Sequence, residues 1–309
     1  MTKCTHCRLN LAVFERSYSG ERLCSDCFCR SIQDKTRATI NHYGMFNHND
    51  KILVAVSGGK DSISLLNILA GIEGKFPDTE LIVLTVDEGI EGYRDEAARI
   101  ATNATRQLGL QQILISFKEL YGYDLDQIVK MHGGRSITPC SFCGVLRRRA
   151  LNIAAREERA DVLATGHNLD DETQTMMMNL LHGNALRIAD VRPVLRSTHP
   201  KLVTRVKPMC RVPEREISLY AYFQGIEFQG ISCPYSGSAL RNDIRFLLDG
   251  IERNHKSVKF TLFRSMERIR PALEALIEER EIGECRLCQE PTFGEICNTC
   301  QLLKELSIL

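Results

Sequence analysis

The stretch "KILVAV" at residues 51–56 runs straight into "SGGKDS" and then into "ISLLNILAGI". The first piece is a short apolar run with three β-branched residues, the pattern of a strand buried on both faces of a parallel sheet. The third has helical spacing. The glycines between them make a tight strand-to-helix turn, and that unit constrains the fold more than any other. Three further buried strands follow: "ELIVLTV" ending in "DEG", "QQILISF", and "ADVLATG" ending in "HNLDDE". Helical segments separate them. Strands alternating with helices imply an α/β fold with a doubly wound parallel sheet. Ligands in such sheets bind beyond the carboxyl ends of the strands, where "SGGKDS", "DEG" and "GHNLDD" all sit.

The loop at 57–62 is an anion cradle by its chemistry. Gly58 and Gly59 let backbone approach a ligand closely, and the following helix adds its positive end. It lacks the spacing of a Walker A motif. The bland reading is a turn capped by Ser57 or Asp61. Likewise "LDDE" at 169–172 supplies acids suited to a helix N-terminus, and "MMM" at 176–178 reads as core.

Cysteine spacing organises the rest. Cys4 and Cys7 face Cys24 and Cys27 across sixteen residues, and Cys285 and Cys288 face Cys297 and Cys300 across eight. Paired CxxC knuckles close a tetrahedron around zinc, so two structural Zn2+ sites are expected, each supplying folding energy to a short segment. The expected organisation is a zinc finger at 1–30, a linker helix at 31–49, a catalytic domain at 50–250, a helical basic region at 251–283 and a second zinc finger at 284–309. The opening "MTKCTHCRLN" has no apolar signal region, and no apolar run reaches membrane-spanning length. A cytoplasmic setting with reduced thiols and no membrane partner is the expectation.

A third CxxC, Cys140 and Cys143 in "SITPCSFCGVLRRRALN", has no CxxC partner. Two thiolates are too few to close a structural zinc site. Cys29, Cys210 and Cys233 remain, and Cys233 lies in the loop "GISCPYSG", where a side chain can be presented outward. Three cysteines and one open position suit a 4Fe–4S cluster with one exposed iron, or a catalytic zinc. Alternatively, Cys140 and Cys233 carry a persulfide and resolve it as a disulfide.

Net charge is only +1, so basic character must be read locally. From Arg192 to Arg215 there are seven Lys/Arg and one acid, and from Arg241 to Arg270 eight and four. Either run is a solvated face or a surface for nucleic-acid phosphates.

"SGGKDS" after "ILVAV", with "GHNLDDETQT" at 166–175, resembles the PP-loop of N-type ATP pyrophosphatases, which cleave ATP between its α and β phosphates and adenylate a substrate oxygen. The resemblance implies an ATP site of Ala55, Ser57, Gly58, Gly59, Lys60, Asp61 and Ser62, with Val86 and Asp87 toward adenosine. Gly166, His167 and Asp171 come from the second loop, with Asp171 binding Mg2+ or positioning the reacting groups. Across the whole chain, the terminal fingers, "PCSFCGVLRRRALN", "KPM", "GISCPYSG" and "GEICNTC" follow the order of the TtuA/NcsA-type tRNA 2-thiouridine synthetases. That resemblance implies a 4Fe–4S cluster on Cys140, Cys143 and Cys233. It also implies tRNA as substrate, sulfide or a ubiquitin-like thiocarboxylate protein as sulfur donor, and a homodimer. Some relatives carry a lysine just past the CxxC. Here Arg147, Arg148 and Arg149 stand there, with Arg147 the candidate for ATP phosphates.

Within that resemblance the target is either the wobble uridine (position 34) or the T-loop uridine (position 54). The latter is a heat adaptation. A charged content of 26% with many Cys, Gln, Asn and His favours the wobble base. Two other classes compete: a zinc-ribbon RNA-binding adaptor, which has no need of Asp61, Ser62, Asp171 and three central cysteines, and an amidating PP-loop ligase, which leaves those cysteines unexplained.

Overall fold

A computed structural model gives the fold and describes residues 2–73, 78–132, 138–236, 240–276, 281–306 and 308. Gly237 of "GISCPYSG" and residues 277–280 of the expected helical region lie outside them.

The central sheet has six strands: β1 (Lys51–Ala55), β2 (Glu80–Asp87), β3 (Gln111–Ser116), β4 (Val162–Thr165), β5 (Val194–Leu195) and β6 (Thr204–Val206). Their order is β3-β2-β1-β4-β6-β5. All pairs are parallel except β5–β6. The four sequence-read strands are β1 to β4. The last two strands, with two and three residues, fall inside the basic run 192–215 and carry no apolar stretch to announce them. Although "QQILISF" reads as buried, β3 is the sheet edge, and Leu114 is exposed.

The longer helices are α1 (Ser25–Tyr43), α2 (Lys60–Glu73), α3 (Arg94–Gln107), α4 (Pro139–Glu157), α5 (Leu169–Leu181), α6 (Glu214–Phe223), α7 (Leu240–Asn254), α8 (Val258–Leu276) and α9 (Asn298–Glu305). Side-chain alternation along the strands builds two cores. Ile52 and Val54 of β1 pack with Leu65 and Leu66 of α2, Ile100 of α3 and Tyr220 of α6. Leu53 turns the other way, toward Phe142, Leu146 and Ala150 of α4 and Leu302 and Leu303 of α9. Each such side chain contributes roughly 1.5–3 kcal/mol by leaving water.

The two cysteine knuckles divide between these cores. In the N-terminal one, a ribbon pairs Phe14–Arg16 with Glu21–Leu23. Leu23, Phe28 and Ile32 are fully buried in the α2 core. Arg16, 1% exposed, pairs with Glu216 of α6 at 2.9 Å and Glu21 at 2.7 Å. The expected separate linker at 31–49 is instead the continuation of a helix that starts at Ser25 inside the knuckle. Phe28, Ile32, Thr36 and Ile40 recur at helical spacing and bury that helix along the core. The C-terminal ribbon pairs Gly283–Glu284 with Pro291–Thr292, and its α9 packs on α4.

From β1 the chain steps outward through β2 to β3 and then returns to β4 on the other side of β1, so the strand order reverses at the β1–β4 pair. The loops after β1 and β4 therefore part around one crevice at the carboxyl edge.

Candidate functional site

The loop after β1 is fixed by its own residues. Gly58 has φ +88°, and a Cβ there would lie 2.3 Å from the Ala97 carbonyl oxygen. No other residue fits. Ser62 Oγ accepts from Ser57 N (3.1 Å) and donates to Gly59 O (3.0 Å), closing the turn onto α2. Arg94 at the start of α3, 4% exposed, donates to Ser57 O (2.9 Å) and to Val86 O. It stitches the loop to the end of β2.

The second loop enters α5 through a capping box. Asn168 Oδ1 accepts from Asp171 N and Asp171 Oδ2 accepts from Asn168 N, both at 3.0 Å. Asn168 Nδ2 also donates to Asp61 Oδ1 (3.2 Å), joining the two loops. At Gly166 a Cβ would crowd Ser62 N at 3.0 Å. The glycine is what lets the loops touch. Asp171 is pushed up to about 6, by burial first, with the negative charges of Asp61 and Glu214 adding to it. His167 Nδ1 lies 2.9 Å from Thr165 Oγ1. His167 is exposed at the rim, and its pKa is pushed down, by the protein packed beside the ring first and then by the positive charges of Lys207, Arg205, Arg147 and Arg241.

Between the loops is a cavity of about 240 Å³. Of the sequence-predicted residues, Ala55, Ser57, Asp61, Ser62, Val86, Arg147, Gly166, His167 and Asp171 line it. Gly58, Gly59, Lys60 and Asp87 do not. Lys60 Nζ is held by Asp61 (2.8 Å) and by Glu214 (2.6 Å). The Asp87 carboxylate accepts from Gly89 N. The sequence reading missed Leu84, Leu151, Thr165 and Glu88, which complete the wall together with Val56. Glu88 is 3% exposed and pairs with Arg94 Nε at 2.8 Å and Arg147 at 3.4 Å. Its signal was the "DEG" at the end of β2. Arg94 had none, since it reads as an ordinary residue of an amphipathic helix.

Cys140 and Cys143 occupy the first turn of α4, which Pro139 opens. Cys140 is exposed, and its Sγ lies 3.3 Å from Tyr235 O, on the loop that carries Cys233. Tyr235 donates its hydroxyl to Asp126 (2.7 Å), anchoring that loop. Burial pushes the Cys143 thiol up to about 12, and the charges of Glu88, Cys233 and Cys140 add to it against Arg147. The Cys233 thiol is also raised, by burial first, with Cys140, Glu88 and Arg147 among its charged neighbours. Glu88 and Arg147 thus line the cavity and are also charged neighbours of Cys143 and Cys233.

Among the described residues, two groups bring every ligand atom within 4.8 Å of the others: Cys4, Cys7, Cys24 and Cys27, and Cys285, Cys288, Cys297 and Cys300. Four thiolates in so tight a cage fit a closed tetrahedral zinc site. Despite burial, backbone N–H groups pull the Cys4 and Cys285 thiols down, toward the anion a metal needs. Arg149 of α4 donates toward Cys297 (3.8 Å) and Cys300 (3.9 Å). Cys29 and Cys210 belong to neither group and are buried in the α2 core.

The PP-loop domain family matches residues 30–249. Over 310 residues the chain is 33% identical to the tRNA 2-thiolation protein NcsA of Haloferax volcanii, covering 96% of each protein. The chain belongs to the tRNA 2-thiolation protein family. It is likewise 33% identical to the cytoplasmic tRNA 2-thiolation protein 1 of Danio rerio, over 99% of this chain and 88% of that one. Among solved structures of the family, it superposes on the U34-tRNA thiolase NcsA of Methanococcus maripaludis, whose structure holds a 4Fe–4S cluster. The TM-score is 0.86 at 35% identity, covering 99% of this chain and 97% of that one. The expected PP-loop fold and family are therefore those of the chain. No helix of the described residues is long and apolar enough to cross a membrane.

Proposed function

We propose that this protein is an ATP-dependent tRNA uridine 2-sulfurtransferase acting at the wobble uridine, position 34. The observation that carries the reading is a shared pair: Glu88 and Arg147 line the cavity between the two loops and are charged neighbours of Cys143 and Cys233. An ATP-activated group formed in the cavity is then next to sulfur chemistry. The U34 specificity of the M. maripaludis relative supports the wobble position.

The chemistry has two steps. The uridine O2 attacks the α-phosphate of ATP, and pyrophosphate leaves. Ser57 to Ser62 cradle the departing anion at the N-terminus of α2, with Lys60 beside it. Asp61 and Asp171, joined through Asn168, would hold Mg2+, which offsets the charge on the phosphates. Sulfur then forms a bond to C2, and the C2–O bond breaks with the original oxygen leaving on AMP. Cys140, Cys143 and Cys233 would hold a 4Fe–4S cluster. Held by three thiolates, such a cluster would supply a binding point for incoming sulfur. Arg147, tethered by Glu88, keeps a positive charge where the phosphates and the sulfur source meet.

Two Zn2+ in the terminal knuckles, a cytoplasmic setting, a homodimer, and sulfide or a ubiquitin-like thiocarboxylate as donor complete the proposal. Phe246 and Leu247, exposed on α7, offer apolar surface for a second copy. Iron, sulfide and zinc are to be measured per chain on protein purified without oxygen. About four irons and two zincs are expected. Zinc without iron would overturn the cluster assignment and leave a catalytic zinc or a persulfide route.

A further inference from the structure

Two carboxylates hold the one ammonium of the phosphate loop. Lys60 Nζ lies 2.8 Å from Asp61 Oδ2 and 2.6 Å from Glu214 Oε1. Asp61 is the next residue in the chain and lines the nucleotide cavity. Glu214 is 154 residues away, at the start of α6. An acid there is favoured by the positive end of the helix alone. This one gives its two oxygens to side chains instead, Oε1 to Lys60 and Oε2 to Arg245 of α7.

Both loops around the cavity are engaged. Asp61 is fixed from two sides: Oδ2 faces Lys60, while Oδ1 accepts from Asn168 Nδ2 at 3.2 Å. The backbone N–H of Glu214 donates to Asp170 Oδ2 at 2.7 Å, and Asp170 precedes Asp171 in the first turn of α5. Asp170 is 6% exposed, and its other oxygen accepts from Lys259 of α8. Lys259 in turn meets Asp249 and, at 3.1 Å, Glu252 of α7. Neither Glu214 nor Asp170 lines the nucleotide cavity. Both line a separate one of about 750 Å³, between the N-terminal ribbon, α6 and α7. Whatever Glu214 does at the nucleotide passes through Lys60 and through the turn that carries Asp171.

We infer that Glu214 is a positioning residue of the ATP site. Its carboxylate sets Lys60, Lys60 sets one oxygen of Asp61, and its amide sets the turn that leads to Asp171. The inference rests on the proposed ATP-dependent reaction, in which Asp61 and Asp171 hold Mg2+. A carboxylate already held in one orientation loses less freedom when it meets an ion, and so binds it more tightly. Removing such a supporting partner costs about ten- to a hundredfold in metal affinity. The side chains of Lys60, Asp61 and Glu214 are 23%, 27% and 20% exposed, so solvent screens the pairs and the effect falls at the low end.

The test is a double-mutant cycle on Glu214→Gln and Lys60→Met. The readout is the Mg2+ concentration that half-saturates binding of a non-hydrolysable ATP analogue, with the rate of AMP release in the presence of tRNA beside it. Glu214→Gln keeps the side chain's size and the amide bond to Asp170. It should raise the half-saturating Mg2+ roughly tenfold and slow AMP release to match. In the Lys60→Met background it should do nothing further, or recover part of the loss, since it then removes an acid that faces Asp61 with no ammonium between. Arg245→Met, on an exposed side chain, is the second variant: it loosens Glu214 without touching either loop. It should raise the half-saturating Mg2+ in the same direction and by less. An unchanged Mg2+ dependence in both Glu214→Gln and Arg245→Met would overturn the inference. So would a loss from Glu214→Gln by the same factor with and without Lys60, which would leave Glu214 a purely structural residue. A wild type that binds the analogue with Mg2+ but releases no AMP with tRNA would instead bring down the functional reading, and the positioning of Asp61 would stand on the Mg2+ readout.

Discussion

The chain uses the CxxC unit five times and builds two opposite kinds of site with it. At each end, two units meet and four sulfurs close on one another within 4.8 Å. In the middle, one unit lies beside the loop that carries a single cysteine; these three sulfurs do not all close within 4.8 Å, and Cys140 is exposed. The difference is made by what surrounds the motif. Each terminal unit sits beside a second CxxC and shares a core with it. Cys140 and Cys143 sit at the open end of a helix, over the crevice where the sheet changes direction. A closed set holds a metal and spends its coordination on folding; a set of three leaves a place for chemistry.

The strongest way to break that comparison is Cys233→Ala. Thiolation should drop to background and iron should be lost, while both zincs stay and the melting temperature barely moves. Cys233 is half-buried on a loop, so its loss leaves little cavity. A Cys233→Ala protein that still thiolates tRNA would show that the central three do not act as one site. The next effect separates the two closed sets. Cys27→Ala and Cys300→Ala should each cost on the order of several kcal/mol, read by denaturant unfolding. Only Cys300→Ala should also lower iron content. The N-terminal set is anchored in the α2 core, away from α4, whereas Arg149 ties the C-terminal set to the helix that carries Cys140 and Cys143. Equal iron loss in both variants would mean that the coupling is global unfolding rather than this helix.

Much of this was legible in the sequence because the signals were local. β1 to β4 are apolar runs, and the phosphate loop and the knuckles are spaced motifs. What was hidden depends on tertiary meetings. Arg94 looks like any helical arginine until its chain is found bridging Ser57 O and Val86 O. β5 and β6 have too few residues for a pattern, and partners within the sheet define them. The start of α1 at Ser25 was masked by the cysteines, which drew attention to metal rather than to Phe28 and Ile32. The divergence of Arg147 and Arg149 follows from helical geometry alone, but which acid or thiol each one meets does not.

The smallest effect sharpens the tie between the C-terminal knuckle and α4. Arg156 of α4 holds Glu290 of the knuckle through two bonds, at 3.1 Å and 2.7 Å. With Arg156 31% and Glu290 15% exposed, solvent screens the pair, and Glu290→Gln should cost only about 1 kcal/mol. The informative reading is therefore not stability but the order of events on warming. If this pair and the Arg149 bonds hold the knuckle on α4, Glu290→Gln should expose the amides of α9 and of the last turns of α4 to hydrogen exchange together. The α2 core should keep its protection. Loosening of α9 alone would confine the knuckle to its own stability. Joint loosening would make it a brace for the helix on which the two central cysteines stand, and would explain why a site that must stay open is built against one that is closed.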